Sequence, residues 1–146
     1  MSWLILVFNL FNNQQSFTLS NLCANVTIVE YDKISKNDIQ YIDNICNKAV
    51  FDSKTKLLHS IKISLLKDSE NFNQLNDLKY RFKNRNKYVL GSFSRTTNHI
   101  YITDKIDSNF DNILRHEIYH ALSWHNKLHL SDIEEEYNAK LFGNLN

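Results

Sequence analysis

The stretch ILRHEIYHAL, residues 113–122, decides how this chain is read. Ile113, Leu114, Ile118, Ala121 and Leu122 recur at helical spacing, with Phe110 one turn earlier and Trp124 just beyond. Within such a helix His116 and His120 stand four residues apart and share one face, so their imidazoles can converge on a single ion. Glu117 follows the first histidine and lies at the edge of that face, where a carboxylate can act as base on a water at the ion. HEIYH is therefore an instance of H-E-x-x-H, a pattern with a stated chemical mechanism.

Working outward, a cap at Asp107 or Ser108 should open this helix. A loop from about Asn126 to Leu130 follows it. Ser131 and Glu134 have capping-box spacing and open a last helix, whose apolar stripe should be Ile133, Tyr137 and Leu141. Upstream, residues 87–93 and 99–103 read as strands joined by the polar turn 94–98. Phe72, Leu75, Leu78 and Phe82 mark a short helix. Residues 57–66 alternate, with Ile61, Ile63 and Leu65 against Lys62 and Ser64, as a half-buried strand does. Ser35 with Asp38 caps a helix carrying Ile39, Ile42, Ile45, Cys46, Ala49 and Val50 on one face. Residues 26–31 alternate as a strand, and the apolar run 3–8, WLILVF, reads as a buried strand over 2–8. The sum is one α+β domain over residues 1–146: a small mixed β-sheet with a packed helix, then the HExxH helix, then a C-terminal helix rich in glutamate.

The bulk numbers narrow the partners. The chain has 146 residues, 42% of them hydrophobic, and a formal net charge of +1. This is long enough for a real core. The near-neutral balance gives no electrostatic reason to expect nucleic acid as a partner. No segment approaches the ~18 apolar residues of a membrane span. A cytoplasmic location is favoured, with secretion as the alternative if residues 1–24 form a signal segment. Cys23 and Cys46 are too few for a disulfide framework, and Cys46 on an apolar helix face reads as a buried free thiol. Asn25-Val26-Thr27 fits the glycosylation pattern, which has meaning only in a secreted eukaryotic chain.

Two histidines do not complete a catalytic zinc site, which takes three protein ligands and leaves a position for water. The metzincin continuation is ruled out, because Ser123 and Asn126 stand where its glycine and third histidine belong. His125 points about 140° away from His120 on a continued helix. His129 in the loop is one possible third ligand. The glutamates 134–136 offer another. Glu134 is committed to the capping box, Glu136 falls between Ile133 and Ala139 at the margin of the apolar face, and Glu135 lies closer to Phe142. Glu136 is the preferred ligand, with Glu135 second. A solvated first turn favoured by the helix dipole is the plainer reading of all three.

HIYIT at 99–103, the helix ILRHEIYHAL and the following EEEYNAKLF together resemble a minimal gluzincin zinc peptidase, similar in layout to the ImmA/IrrE-like metallopeptidases. The resemblance spans residues 88–142 and is one of motifs. It implies a zincin-like fold, Zn2+ as cofactor, His116, His120 and Glu136 as metal ligands, and Glu117 as general base in peptide-bond hydrolysis. It also implies that 99–103 is an edge strand able to pair with an extended protein or peptide substrate. Tyr137, His129 and His99 are oxyanion donors by residue type. Where some gluzincins carry an Asp that orients a histidine ligand, this chain has Lys140. A catalytically silent, metalloprotease-like regulatory or partner-binding protein is the alternative function, and a closed structural zinc site completed by His129 is another.

Overall fold

The computed structural model describes residues 15–30, 34–66, 91–103 and 109–144. The chain folds as α+β, a five-stranded mixed sheet with three α-helices among the described residues. The strands are β1 (Gln15–Thr18), β2 (Val26–Glu30), β3 (Ile61–Leu66), β4 (Gly91–Ser94) and β5 (His99–Thr103). The helices are α1 (Lys36–Ser53), α2 (Phe110–His125) and α3 (Asp132–Gly143). The strand expected over 2–8 and the helix expected over 72–82 lie outside the described residues, as do positions 107 and 108. The strand expected over 87–93 is described from Gly91 onward.

The sheet order is β1-β2-β3-β5-β4. β2, β3 and β5 run parallel, and β1 and β4 are antiparallel edges. The connection β2–α1–β3 supplies the long crossover that a parallel pair requires. Register aligns a row of core side chains across the sheet: Ile28 opposite Ile63, Ile63 opposite Ile100, Ile100 opposite Phe93. All four are buried. Ile42, Ile45, Ala49 and Val50 of α1 and Leu114, Ile118 and Leu122 of α2 complete the same core cluster. Because side chains alternate along a strand, Lys62, Ser64, His99 and Tyr101 point to the other face. There His99 Nε2 lies 2.6 Å from the Ser64 hydroxyl.

The helix ends follow local chemistry. Ser35 accepts a bond from the Asp38 backbone N–H and starts α1. Ser131 and Glu134 form the reciprocal capping box that starts α3. The backbone bond to Ser131 and then its hydroxyl hold the Glu134 carboxyl below its ordinary pKa. α2 starts at N-cap Asn109, which makes no side-chain cap bond.

Two expectations are corrected. Cys23 and Cys46 are not free thiols: they form a disulfide that ties the 3-10 turn Asn21–Cys23 to α1. Their helical and loop contexts concealed that the turn lies against α1, where Ser20 bonds Asp43 and the Leu22 N–H donates to Asn47. The stripe Ile133, Tyr137 and Leu141 is exposed, not buried. α3 turns Glu135, Ala139, Phe142 and Gly143 inward instead. This happens because α3 packs closely on α2: a Cβ on Gly143 would sit 2.7 Å from the Asn112 carbonyl oxygen. Only a face with small residues permits that approach.

His125 ties the end of α2 to two loops. Its Nδ1 accepts the Leu58 N–H at 3.1 Å, and its Nε2 pairs with Asn98 Oδ1 at 2.9 Å. Since Nδ1 accepts, Nε2 carries the hydrogen and the ring is neutral. Burial, then the nearby His59, lowers its pKa to about 4. The bond pattern fastens the end of α2 to the loop after α1 and to the β4–β5 turn. Asn25 is likewise occupied, its amide donating to the Leu57 and His59 carbonyls at 2.8 and 2.9 Å.

Candidate metal centre

α2 presents His116 and His120 on one face, and α3 crosses above them. The two Nε2 atoms lie 3.2 Å apart. The Glu136 carboxylate spans both rings, with Oε1 3.2 Å from His116 Nε2 and Oε2 3.3 Å from His120 Nε2. One ligand atom from each of the three residues can be chosen so that all lie within 4.8 Å of one another. A tetrahedron built on metal–nitrogen bonds of about 2.0–2.1 Å has edges of about 3.3–3.4 Å. The His116–His120 separation matches such an edge, and two imidazoles with one carboxylate are a donor set that could hold a small divalent cation. Burial first, then the neighbouring His120, holds His116 below its ordinary pKa. That keeps the imidazole neutral, the form a metal ligand must take.

Glu136 reaches the histidines from the solvent side, its side chain 49% exposed. Glu135 is the inward carboxylate, at 7%. Glu136, expected at the margin of the apolar face, thus stands toward solvent, and the carboxylate that α3 turns inward is Glu135. What brings Glu136 to the cluster is the crossing of α3 over the His116–His120 face. Glu135 meets the other side of His120 instead: its Oε1 lies 2.8 Å from Nδ1. Its Oε2 takes Arg95 Nη2 at 2.9 Å. Arg95 belongs to the β4–β5 turn, and its guanidinium lies 5.2 Å above the Trp124 ring. Neither Arg95 nor this role for Glu135 was legible in the sequence, because the contact spans 40 residues.

Glu117 is buried at 6% exposure, on the side of α2 that meets β4. A Cβ on Gly91 would lie 3.0 Å from Glu117 Cγ and 3.1 Å from its Oε1. The absence of a side chain at Gly91 lets the strand approach this carboxylate. Among the described residues the edge strand beside α2 is β4; HIYIT, expected at the edge, is interior, because the 95–98 turn folds β4 back onto its free side.

The remaining candidates stand elsewhere. His99 faces Ser64 on the sheet surface away from α2. Burial, then Lys62, lowers its pKa to about 4. Tyr137 is 63% exposed on the outer side of α3. His129 is exposed in the loop, outside the cluster found among the described residues. No family model, curated protein or solved structure matches the chain. Among the described residues no helix is long and apolar enough to cross a membrane.

Proposed function

We propose that this chain is a zinc-dependent peptide hydrolase of the gluzincin type, with Zn2+ held by His116, His120 and Glu136. The observation that carries the reading is the convergence of two Nε2 atoms and one carboxylate at 3.2–3.3 Å, beside a glutamate in the H-E-x-x-H position. Bound zinc would supply Lewis acidity toward a carbonyl and a water of lowered pKa. Glu117 serves as general base: it takes a proton from the attacking water and returns it to the leaving amine. Its burial against β4 limits its competing contacts with bulk water. Among the described residues the edge strand is β4, not β5, and β4 is therefore the candidate for pairing with an extended protein or peptide substrate. The intact Glu117 favours an active enzyme over a silent relative, which has no need of a base. The Cys23–Cys46 disulfide suits an oxidising compartment and favours the exported alternative over the cytoplasmic one.

The test uses the purified full chain. Metal analysis should find about one zinc per chain, lost in His120→Ala. The zinc-loaded chain should cleave members of a mixed peptide library. Glu117→Gln should bind zinc as before while turnover falls by about 10²–10⁴-fold. Zinc-loaded wild type with no hydrolysis of any peptide would reject the enzyme reading, and wild type that takes up no zinc would reject the site.

A further inference from the structure

The contact behind His120 has a direction. A carboxylate cannot donate a hydrogen, so the 2.8 Å contact between His120 Nδ1 and Glu135 Oε1 places the proton on Nδ1. Nε2 then carries the lone pair, and Nε2 is the atom that faces His116 and Glu136. Glu135 is also restrained. Its side chain is 7% exposed, and its other oxygen is fastened to Arg95. Arg95 itself rises from the β4–β5 turn over Trp124 of α2. A continuous line of polar contacts thus runs from the edge hairpin to one metal ligand. It places two carboxylates from consecutive positions in different tasks: Glu136 toward the metal, Glu135 away from it.

We infer that Glu135 and Arg95 are positioning residues for the metal centre. Glu135 selects the His120 tautomer and ring orientation that present Nε2 to the ion. Arg95 holds the Glu135 carboxylate in that place and keeps it from turning to the metal in competition with Glu136. This rests on the zinc reading above and assigns the orienting task that the Lys140 position leaves open. Partners of this kind typically contribute 10–100-fold to metal affinity. The arrangement also couples the hairpin to the ion, because Arg95 sits in the turn that closes β4.

The experiment measures the zinc dissociation constant by chelator competition for wild type, Glu135→Gln, Glu135→Ala, Arg95→Ala and Arg95→Lys. Each variant is first checked for native thermal unfolding. Nitrogen-15 NMR of labelled histidines reads the His120 tautomer in the metal-free chain. Glu135→Ala should weaken zinc by about 10–100-fold and move His120 from the pure Nδ1–H form to a tautomer mixture. Glu135→Gln, whose amide oxygen still accepts from Nδ1–H, should retain the tautomer and lose less affinity. Arg95→Ala, at an exposed turn, tests the line without disturbing the core and should weaken zinc by several-fold, with partial recovery in Arg95→Lys. Unchanged affinity and unchanged tautomer in a folded Glu135→Ala chain would overturn the inference while leaving the zinc site standing. Wild type that binds no zinc overturns both.

Discussion

Replacing Asp52 by alanine should destabilise this fold far more than replacing Arg115 by methionine, although both remove the same ion pair. Arg115 precedes the first histidine of the motif, and its side chain is 1% exposed. Its Nε–H donates to the Phe142 carbonyl at 3.2 Å and its Nη2 to Asp52 at 3.0 Å, while Nη1 is buried with no hydrogen-bond partner among the described residues. The guanidinium lies 4.7 Å above the Phe142 ring. It therefore sits at the C-terminal ends of α1 and α3, where helix dipoles favour a cation. Breaking a fully buried pair by removing one partner costs about 3–5 kcal/mol. Asp52 is 31% exposed, so water replaces part of what is lost, and Asp52→Ala should cost about 2–3 kcal/mol. Arg115→Met keeps the apolar contact with Phe142 and removes both the buried charge and the orphaned Nη1. It gives up the bond to the Phe142 carbonyl, about 1 kcal/mol, so its net effect should fall within about 1 kcal/mol of wild type. Urea unfolding at equal m-values reads both numbers, and for a chain of this length the Asp52→Ala melting point should fall by about 5–10 °C. An Arg115→Met chain as unstable as Asp52→Ala would refute this account of the buried charge.

Further outcomes follow from other contacts. Gly143→Ala places a methyl 2.7 Å from a backbone carbonyl of α2 that cannot yield, so overpacking should cost about 1–3 kcal/mol and weaken zinc uptake; unaltered melting counts against the α2–α3 contact. Gly91→Ala meets two side chains, Ile113 at 2.8 Å and Glu117 at 3.0 Å, so the fold should survive while peptide turnover falls with zinc content unchanged; wild-type turnover would show that β4 does not constrain the base. The pKa of His125 and of His99 is lowered to about 4 in the folded chain, against 6.5 for the ordinary group. The unfolded chain therefore binds more protons between those values, and stability is full above about pH 6.5 and falls as the pH drops toward 4. Urea midpoints across that range should show a shallower fall in His125→Gln than in wild type, and equal slopes would exclude His125 as a contributor. Cys23 and Cys46 enclose a separation of 23 residues, for which loop-closure entropy gives about 3 kcal/mol; a Cys46→Ser chain that melts with wild type in non-reducing buffer would remove the disulfide from the account.

Much of the architecture was legible from local pattern. The alternation of Ile61, Ile63 and Leu65, the strand at 99–103, the cap at Ser35 and the capping box at Ser131 all depend on neighbours within a few residues, and each appears in the structure, although the strand expected over 57–66 begins only at Ile61. The α3 stripe misled because Ile133, Tyr137 and Leu141 form a regular apolar series, while the face that packs is chosen by close approach at Ala139 and Gly143. The strand order misled for a related reason: a hairpin turn covers β5, and no residue of β5 records whether its far side is paired.

By itself the sequence determined that an amphipathic helix carries two histidines four residues apart with a glutamate between them, and that a capped helix with three glutamates follows. Helical periodicity alone puts those groups on known faces. Only the tertiary structure decided how the acidic residues divide. The crossing of α3 over α2 sends Glu136 to the two Nε2 atoms and Glu135 to the far side of His120, where Arg95 meets it from the β4–β5 turn. A crossing angle and a contact between a hairpin turn and a helix are products of how faces pack, and adjacent carboxylates of identical chemistry carry no local mark of which one will face the ion.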